Sequence, residues 1–391
     1  MNKNNLTKLK KHRIRQIRLQ RIRENRRLSR KDVSYDTVKD VSADIVPSDQ
    51  IESAPIINKK YNICHPTYYN TIRIDFPESL DLSENIERTV VTLENIKHEI
   101  LYGKNKKIIL EQENIEKISP DAAIILAAEI NRCIEYSSSK KKIIGDYPDN
   151  PSVAGMLKYM GFYRFLNIPA PNVNLPKDSR IFFNVISGHD SDMRIVDRLV
   201  KLFERAVEIP IIPRKRLCAA LIECMDNVNN HAYIKNTKDP VFVGQWWMAG
   251  FCDPSTGQVT FTFYDQGVGI PTTLKEKLSV KIRGYLSWSE SDMLDHAITK
   301  GITRHSSNRH GNGLPSLKGF IDELAPGGFL RVLSGKGDFT YCKNNKPIKK
   351  DLDVFIDGSL IMWSIQSDKE AVNDDGTIDL SKQPAQLRLA V

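Results

Sequence analysis

Apolar residues recur along residues 68–170 with two periods, one typical of strands and the other typical of helices. Alternation, or a short apolar run between polar segments, predicts a strand, whereas apolar residues spaced three and four apart predict a helix. The predicted strands are Thr71–Phe76, Lys107–Leu110 and Lys142–Gly145. The predicted helices are Ser83–Leu101, Pro120–Ile134 and Pro151–Leu166. Strands that alternate with helices in this way indicate an open α/β layer.

A second set of elements is predicted between residues 186 and 366. The predicted helices are Arg214–Tyr233 and Pro315–Leu324. The predicted strands are Val259–Tyr264, Gly328–Leu333, Ser359–Ser364 and one that contains Trp246 and Trp247. Because β-branched and aromatic residues dominate these strands, we expect a second sheet with the two tryptophans in its core.

The length of 391 residues favours two domains, and changes in composition predict where they begin and end. Polar residues with few aromatics predict linkers, as does a stretch rich in Pro and Asn. The predicted segments are a basic arm at 1–31, a linker at 32–67, a first domain at 68–170, a linker at 171–185, a second domain at 186–366 and a tail at 367–391.

The net charge of +9 is concentrated in the arm. Residues 1–31 contain 13 Lys or Arg and one acidic residue, Glu24, which gives +12 and leaves −3 for the remaining chain. Such an arm is typical of a segment that binds nucleic acid or an acidic surface. A solvated tail is the alternative, because no aromatic residue interrupts the run to stack on bases.

Six cysteines are present, without a CxxC pair and without the spacing of a zinc site. We therefore expect reduced, mostly buried thiols in a cytoplasmic protein. The sequence contains no run of about 18 apolar residues, so a membrane is not an expected partner.

The first candidate chemical motif lies on the helix Arg214–Tyr233, where Glu223 and Asn227 are four residues apart and share a face. An amide oxygen suits Mg²⁺, which prefers oxygen ligands, and a neighbouring carboxylate can hold or activate a water molecule. By themselves, two polar residues on a helix are also typical of a solvated face.

The second motif follows the strand Val259–Tyr264 and reads Asp265-Gln266-Gly267-Val268-Gly269. An Asp at a strand end can accept a hydrogen bond from the exocyclic amine of adenine, and Gly267 and Gly269 permit close approach of the backbone to a flat base. The alternative is an ordinary turn, since Asp and Gly are common there.

The third motif, Gly311-Asn312-Gly313-Leu314, precedes the helix Pro315–Leu324. Backbone N–H groups at the start of a helix can point at phosphate, and the helix dipole favours an anion. A single Gly-x-Gly before a helix is weak support for such a site.

Taken in order, these three motifs resemble the nucleotide-binding boxes of the GHKL (Bergerat) ATPases, which include histidine kinases, anti-sigma serine kinases and mismatch-repair ATPases. The resemblance covers most of residues 195–365 and implies a Bergerat-type α/β sandwich that binds ATP and Mg²⁺. It implies that Glu223 is the general base, Asn227 the Mg²⁺ ligand and Asp265 the adenine contact. Gly267 and Gly269 would shape the base pocket, and Gly311, Asn312, Gly313 and Leu314 would hold phosphates.

Between the second and third motifs the resemblance implies an ATP lid at about Thr272–His310. Its residues Lys300, Thr303 and Arg304 are candidates to contact the triphosphate, because cations and hydroxyl groups suit phosphate oxygens. The alternative for each cation is a surface charge.

The first domain resembles the STAS domain of anti-sigma-factor antagonists in the segments KKIILEQENIEKISPDAAIILAAEI and VAGMLKYMGFYRFL. In that family a Ser or Thr near the start of one helix can be phosphorylated, and Ser119 lies near that place. A Ser followed by Pro120 is also a typical helix N-cap, which we favour.

These resemblances imply an α/β protein with a STAS-like domain followed by a GHKL ATP-binding domain. Two functions are expected: ATP hydrolysis or serine/threonine phosphorylation in partner switching, or an ATP-gated interaction module that is not a kinase. The expected partners are a regulatory protein, a second copy of the chain, and nucleic acid contacted through residues 1–31.

Overall fold

The computed structural model describes residues 64–67, 70–104, 107–136, 142–166, 168–173, 181–189, 191–204, 211–231, 245–253, 258–278, 287–301, 313–323 and 328–365. All of them belong to one compact unit formed by residues 58–235 and 242–391. The predicted arm at 1–31, the tail at 367–391 and most of the first linker lie outside the described residues.

The structure is mixed α/β, with parallel and antiparallel sheets. The strands are β1 (Cys64–Thr67), β2 (Thr71–Asp75), β3 (Ser79–Leu80), β4 (Lys107–Glu111), β5 (Lys117–Ile118), β6 (Lys142–Gly145), β7 (Ile181–Gly188), β8 (Trp246–Asp253), β9 (Gln258–Asp265), β10 (Phe329–Cys342) and β11 (Ile348–Ile365). The helices are α1 (Ile86–Leu101), α2 (Pro120–Tyr136), α3 (Pro151–Tyr159), α4 (Tyr163–Leu166), α5 (Met193–Glu204), α6 (Ile211–His231), α7 (Ile270–Leu278), α8 (Glu290–Lys300) and α9 (Gly313–Glu323).

The N-terminal part contains a four-stranded sheet in the order β1-β2-β4-β6. Strand β1 pairs with β2 in the antiparallel direction, whereas β2, β4 and β6 are parallel. Strands β3 and β5 form a separate parallel pair. Helices connect the parallel strands, as parallel pairing requires a crossover. The predicted open α/β layer is therefore confirmed for this region.

The C-terminal part contains a five-stranded antiparallel sheet in the order β10-β11-β9-β8-β7. Both faces of this sheet are buried, because neighbouring residues of its strands pack into different apolar clusters. Trp246 packs with the helices α5, α6, α8 and α9, whereas Trp247 packs with α1, α2 and the N-terminal sheet. Both tryptophans are fully buried, so their predicted place in the core is confirmed.

Helices α1 and α2 thus lie between the two sheets. Their apolar residues share one cluster with strand residues of the N-terminal sheet and with Ala249, Leu333 and Leu360 of the C-terminal sheet. Burial of these side chains on both sides of α1 and α2 contributes about 25 cal/mol per Å² of apolar surface removed from water. The regions predicted as two domains consequently share one core.

Several element boundaries differ from the sequence predictions. The helix predicted over Pro151–Leu166 is broken into α3 and α4, because Gly161 adopts a φ of 76° that ends the first helix. Residues 64–67 and 181–185, predicted as parts of linkers, lie in β1 and β7. The last two strands are longer than predicted and form a hairpin, since buried β10 continues past Leu333 to Cys342.

Smaller features concern the start of α2, the cysteines and the character of the helices. The Ser119 hydroxyl accepts a hydrogen bond from the Ala122 N–H at 3.4 Å at the start of α2, which confirms the N-cap. Cys133, Cys218, Cys224 and Cys342 are free thiols, three of them buried. Among the described residues, none of the helices combines the length and the apolar character needed to cross a bilayer.

Candidate functional site

Helix α6 carries Glu223 and Asn227 at the edge of a buried face. Leu217, Leu221 and Val228 lie on the core side of the helix and are fully buried or nearly so. Glu223 and Asn227 are each intermediate in exposure. This spacing places their polar side chains beside the apolar face, where they can reach a ligand that packs along the helix.

Asp265 is the last residue of β9, and its side chain is buried, with 8% of the residue exposed. Its Oδ1 accepts a hydrogen bond from the Gly267 N–H at 2.8 Å. Burial raises the pKa of Asp265 to about 6, and hydrogen bonds from the Gly267 N–H and the Ser359 side chain partly oppose this increase. The carboxyl group is therefore mostly ionised at neutral pH although it lies in a poorly solvated place.

The thiol of Cys224 shows that α6 and the end of β9 converge. Burial raises the pKa of Cys224 first, and the negative charges of Asp265 and Glu223 raise it further. Glu223 directly precedes Cys224, so the informative neighbour is Asp265, which lies near this thiol although 41 positions separate the two residues. The second motif therefore begins close to the helix that carries the first.

The turn after Asp265 is shaped by close contact with two other strands. Gly269 has a φ of 82°, and a Cβ atom there would lie 2.8 Å from the Ser334 Oγ. That same hydroxyl accepts a hydrogen bond from the Ile270 N–H at 3.0 Å and donates one to the Gly358 carbonyl oxygen at 2.6 Å. The neighbours that closely approach Gly269 are therefore protein atoms, and the approach of this backbone to a flat base stays a prediction.

The third motif reaches the same cluster through its last residues. Gly313 is the first residue of α9, and Leu314 is buried. Leu314 belongs to the apolar cluster that also contains Cys224 of α6 and Ile270 of α7. Gly311 and Asn312 lie outside the described residues, so only the second half of this motif is placed.

The segment predicted as a lid contains two helices. Residues 270–278 and 290–300 form helices α7 and α8, and Leu294, Ala297 and Ile298 of α8 are completely buried in the core. Helix α8 begins with a capping box of Ser289 and Asp292, which fixes its N-terminus. Lys300 is exposed at the end of α8, and Thr303 and Arg304 lie outside the described residues.

Sequence reasoning missed a buried polar group behind the site, on the face of the sheet opposite α6. The Glu129 Oε1 of α2 accepts hydrogen bonds from Gln266 Nε2 at 2.9 Å and from the Tyr264 hydroxyl at 3.2 Å. Its Oε2 accepts one from Arg132 Nε at 3.0 Å. A charged residue within the otherwise apolar face of a predicted helix was the sequence feature that could have revealed it.

Two further residues complete this group. Arg132 Nη2 lies 3.0 Å from the Asp357 Oδ2, and Lys97 of α1 also pairs with Asp357. These two cations hold the pKa of the Asp357 carboxyl below its ordinary value although burial opposes them. We call Lys97, Glu129, Arg132, Tyr264, Gln266 and Asp357 the rear network.

Comparison of this sequence with protein-family models and with curated proteins finds no match.

Proposed function

We propose that this chain is a Mg-ATP-binding regulatory protein of the GHKL class that hydrolyses ATP or phosphorylates a serine or threonine in a partner-switching role. The observation that carries the proposal is the nearness of Asp265, in the second motif, to the buried Cys224, which follows Glu223 of the first motif. The placement of Leu314 in the same apolar cluster adds the third motif.

The residues fit the nucleotide that the motifs imply. Asp265 is a buried carboxylate whose described partners are neutral donors, so its oxygens retain acceptor capacity for the exocyclic amine of adenine. Asn227 would ligate Mg²⁺ together with phosphate oxygens, and Glu223 would hold and activate a water molecule or a hydroxyl group. When bound, Mg-ATP would supply the transferable phosphoryl group, and this chain's residues would orient it.

The alternative function is an ATP-gated interaction module that is not a kinase and whose arm contacts nucleic acid or an acidic partner. The observation that favours it is the +12 charge of residues 1–31. In that case binding to nucleic acid should weaken steeply with salt and disappear when residues 1–31 are removed.

Calorimetry with Mg-ATP on the wild type and on Asp265→Asn tests the proposal. We expect an affinity loss of about 100-fold in the variant, because an amide in place of the carboxylate loses the charged acceptor. Asp353→Asn is the matched control, since Asp353 is exposed on β11 and should bind ATP like the wild type. Absence of measurable binding of Mg-ATP to the wild type at millimolar concentration would refute the proposal.

Product analysis of the same samples separates the two functions. Labelled serine or threonine after incubation with γ-labelled ATP identifies a kinase, whereas phosphate release that changes with added nucleic acid identifies the interaction module. Asn227→Ala should abolish Mg²⁺-dependent turnover in either case, because it removes the proposed metal ligand.

A further inference from the structure

Residues 264–266 present their side chains to opposite sides of the five-stranded sheet. Asp265 lies near Cys224 of α6, where its charge adds to the effect of burial in raising the pKa of the thiol. Tyr264 and Gln266, on either side of Asp265, both donate hydrogen bonds to Glu129 of α2. The two residues that flank Asp265 in the chain are therefore both hydrogen-bonded to Glu129, on the face of the sheet opposite α6.

Glu129 is itself fixed in place. It is 4% exposed, and both of its carboxylate oxygens accept hydrogen bonds, Oε1 from Gln266 and Oε2 from Arg132. Arg132 is 1% exposed and is held in turn by Asp357. Glu129 and Arg132 are buried charges that satisfy each other. Because Gln266 donates to the same carboxylate, a displacement of Glu129 would also displace the Gln266 side chain.

Stability does not explain the presence of these charges at this place. Glu129 follows Ala127 and Ala128 and precedes Ile130, all completely buried, and apolar side chains of similar volume often serve such a core equally well or better. A buried ionic group fixes geometry, however, because only one arrangement satisfies all of its partners. The geometry fixed here is that of Gln266, which lies between Asp265 and Gly267.

We propose that Glu129 is a positioning residue for the adenine-contacting turn and that it acts through the Gln266 side chain, so that ATP affinity depends on the N-terminal region packed behind the sheet. This inference rests on the function proposed above. Under it, α2 serves the nucleotide site from within the same chain, and a partner or modification that shifted α2 would change nucleotide affinity.

The test exchanges the two side chains. Gln266→Glu places a second carboxylate against Glu129, and we expect ATP affinity to fall by about tenfold or more. In the double variant Glu129→Gln with Gln266→Glu, the amide nitrogen at position 129 can donate to the carboxylate at 266 while its amide oxygen accepts from Arg132, and the charge of the network is unchanged. Its affinity should return to within about threefold of wild type. A role confined to general stability would not be rescued by exchanging the pair.

Hydrogen exchange of peptides covering residues 264–270 provides a readout that needs no nucleotide. The Gly267 amide, which donates to Asp265, should exchange faster in Gln266→Glu and at the wild-type rate in the double variant. Ser83→Ala is the matched control, because it removes a hydrogen bond of 2.9 Å from Arg331, also between the N-terminal region and the five-stranded sheet but on another strand. Its ATP affinity should stay within about twofold of wild type.

The outcomes are distinguishable. If the wild type and Ser83→Ala bind ATP and folded Gln266→Glu binds it equally well, the positioning role is refuted while the proposed function stands. Failure of the double variant to recover affinity refutes the pairing. A wild type that does not bind ATP removes the proposed function and this inference together. If Gln266→Glu does not fold but the double variant folds and binds ATP, the pairing is supported.

Discussion

Asp265 and Asp357 are two carboxylates on neighbouring strands that lie on opposite faces of the same sheet. Asp265 faces α6, and burial raises its pKa to about 6. Asp357 faces α1 and α2, where Lys97 and Arg132 lower its pKa despite burial. Strand pairing brings the two close, since Ser359, two residues after Asp357, is directly opposite Asp265.

This difference in charge environment distinguishes a carboxylate with a structural role, Asp357, from one that can bind a ligand, Asp265. The charge of Asp357 is neutralised by cations of the protein itself, so further hydrogen bonds would add little. The described partners of Asp265 are neutral donors, so burial destabilises its ionised form. A further donor from a ligand would reduce this destabilisation. Perturbed carboxyl groups of the second kind are typical of functional sites.

The largest effect on stability is expected from removal of the Arg132 guanidinium, which pairs with both Glu129 and Asp357 in the rear network. Arg132→Met leaves Glu129 and Asp357 facing each other without their shared cation. We expect a loss of about 3–5 kcal/mol in the free energy of unfolding, measured by urea denaturation at neutral pH.

The control for this substitution is Arg73→Met. Arg73 pairs with Glu111 at an exposed position, so the same chemical change should cost less than about 1 kcal/mol. Equal losses for both variants would show that Arg132 is not the shared counter-ion of Glu129 and Asp357.

Gly358→Ala tests how tightly β11 holds the end of β9. Gly358 has a φ of 74°, and a Cβ atom there would lie 1.8 Å from the Asp265 carbonyl oxygen. We expect a loss of about 2–4 kcal/mol by urea denaturation, from backbone strain and overlap with the main chain. The displacement of Asp265 should also weaken ATP binding.

Gly335→Ala is the matched control for Gly358→Ala. Gly335 has a similar φ of 61°, but its nearest neighbour would be the flexible Glu290 carboxylate rather than a backbone atom. Gly335→Ala should therefore lose stability through backbone strain alone, without overlap with a main-chain atom, and its ATP affinity should be unchanged. An equal loss of affinity in both variants would contradict the assigned contact.

The smallest effect is expected from Asp265→Asn on the stability of the nucleotide-free protein. Because the pKa of Asp265 rises from 3.8 to about 6 on folding, the folded state binds this proton more tightly than the unfolded chain does. Ionisation therefore costs stability above pH 3.8, and the full cost is reached above pH 6. Asn removes this cost, so the variant should gain about 1–3 kcal/mol at pH 7.5.

Urea denaturation at several pH values checks this gain. It should shrink as the pH falls towards 4, because the wild-type carboxyl group becomes protonated in both states. Asp353→Asn is the control, and because Asp353 is exposed on β11, the stability of this variant should stay within about 0.5 kcal/mol of wild type. A variant of Asp265 that is less stable than wild type at pH 7.5 would remove the contrast with Asp357.

Local pattern predicted much of the fold. The prediction for β6 agrees with the structure at both ends, and those for β2, β4 and α2 agree to within two residues. Trp246 and Trp247 were predicted as core residues of a strand, and since a strand sends neighbours to opposite faces, they pack into different clusters that the pattern could not identify. The hairpin of β10 and β11 was underestimated, since its extent depends on pairing between distant residues.

The candidate site was predicted in part. Glu223, Asp265 and Leu314 were found from motifs, and the structure places Asp265 near Cys224, which follows Glu223, and Leu314 in the same apolar cluster as Cys224. Glu129 could not be assigned to this place, because its partners Gln266 and Arg132 belong to segments 134 positions apart. Hydrogen bonds of this kind have no sequence period by which to recognise them.

The sequence by itself determined several helices and strands of each region, because side-chain periodicity and turn chemistry act over a few residues. It also supplied, through three short motifs, the residues predicted for the candidate site. Only the tertiary structure decided that α1 and α2 cover the rear of the five-stranded sheet and that Asp265 and Asp357 differ in charge environment. The pKa of a buried carboxyl group depends on which distant residues fold against it, and the order of residues along the chain does not specify those neighbours.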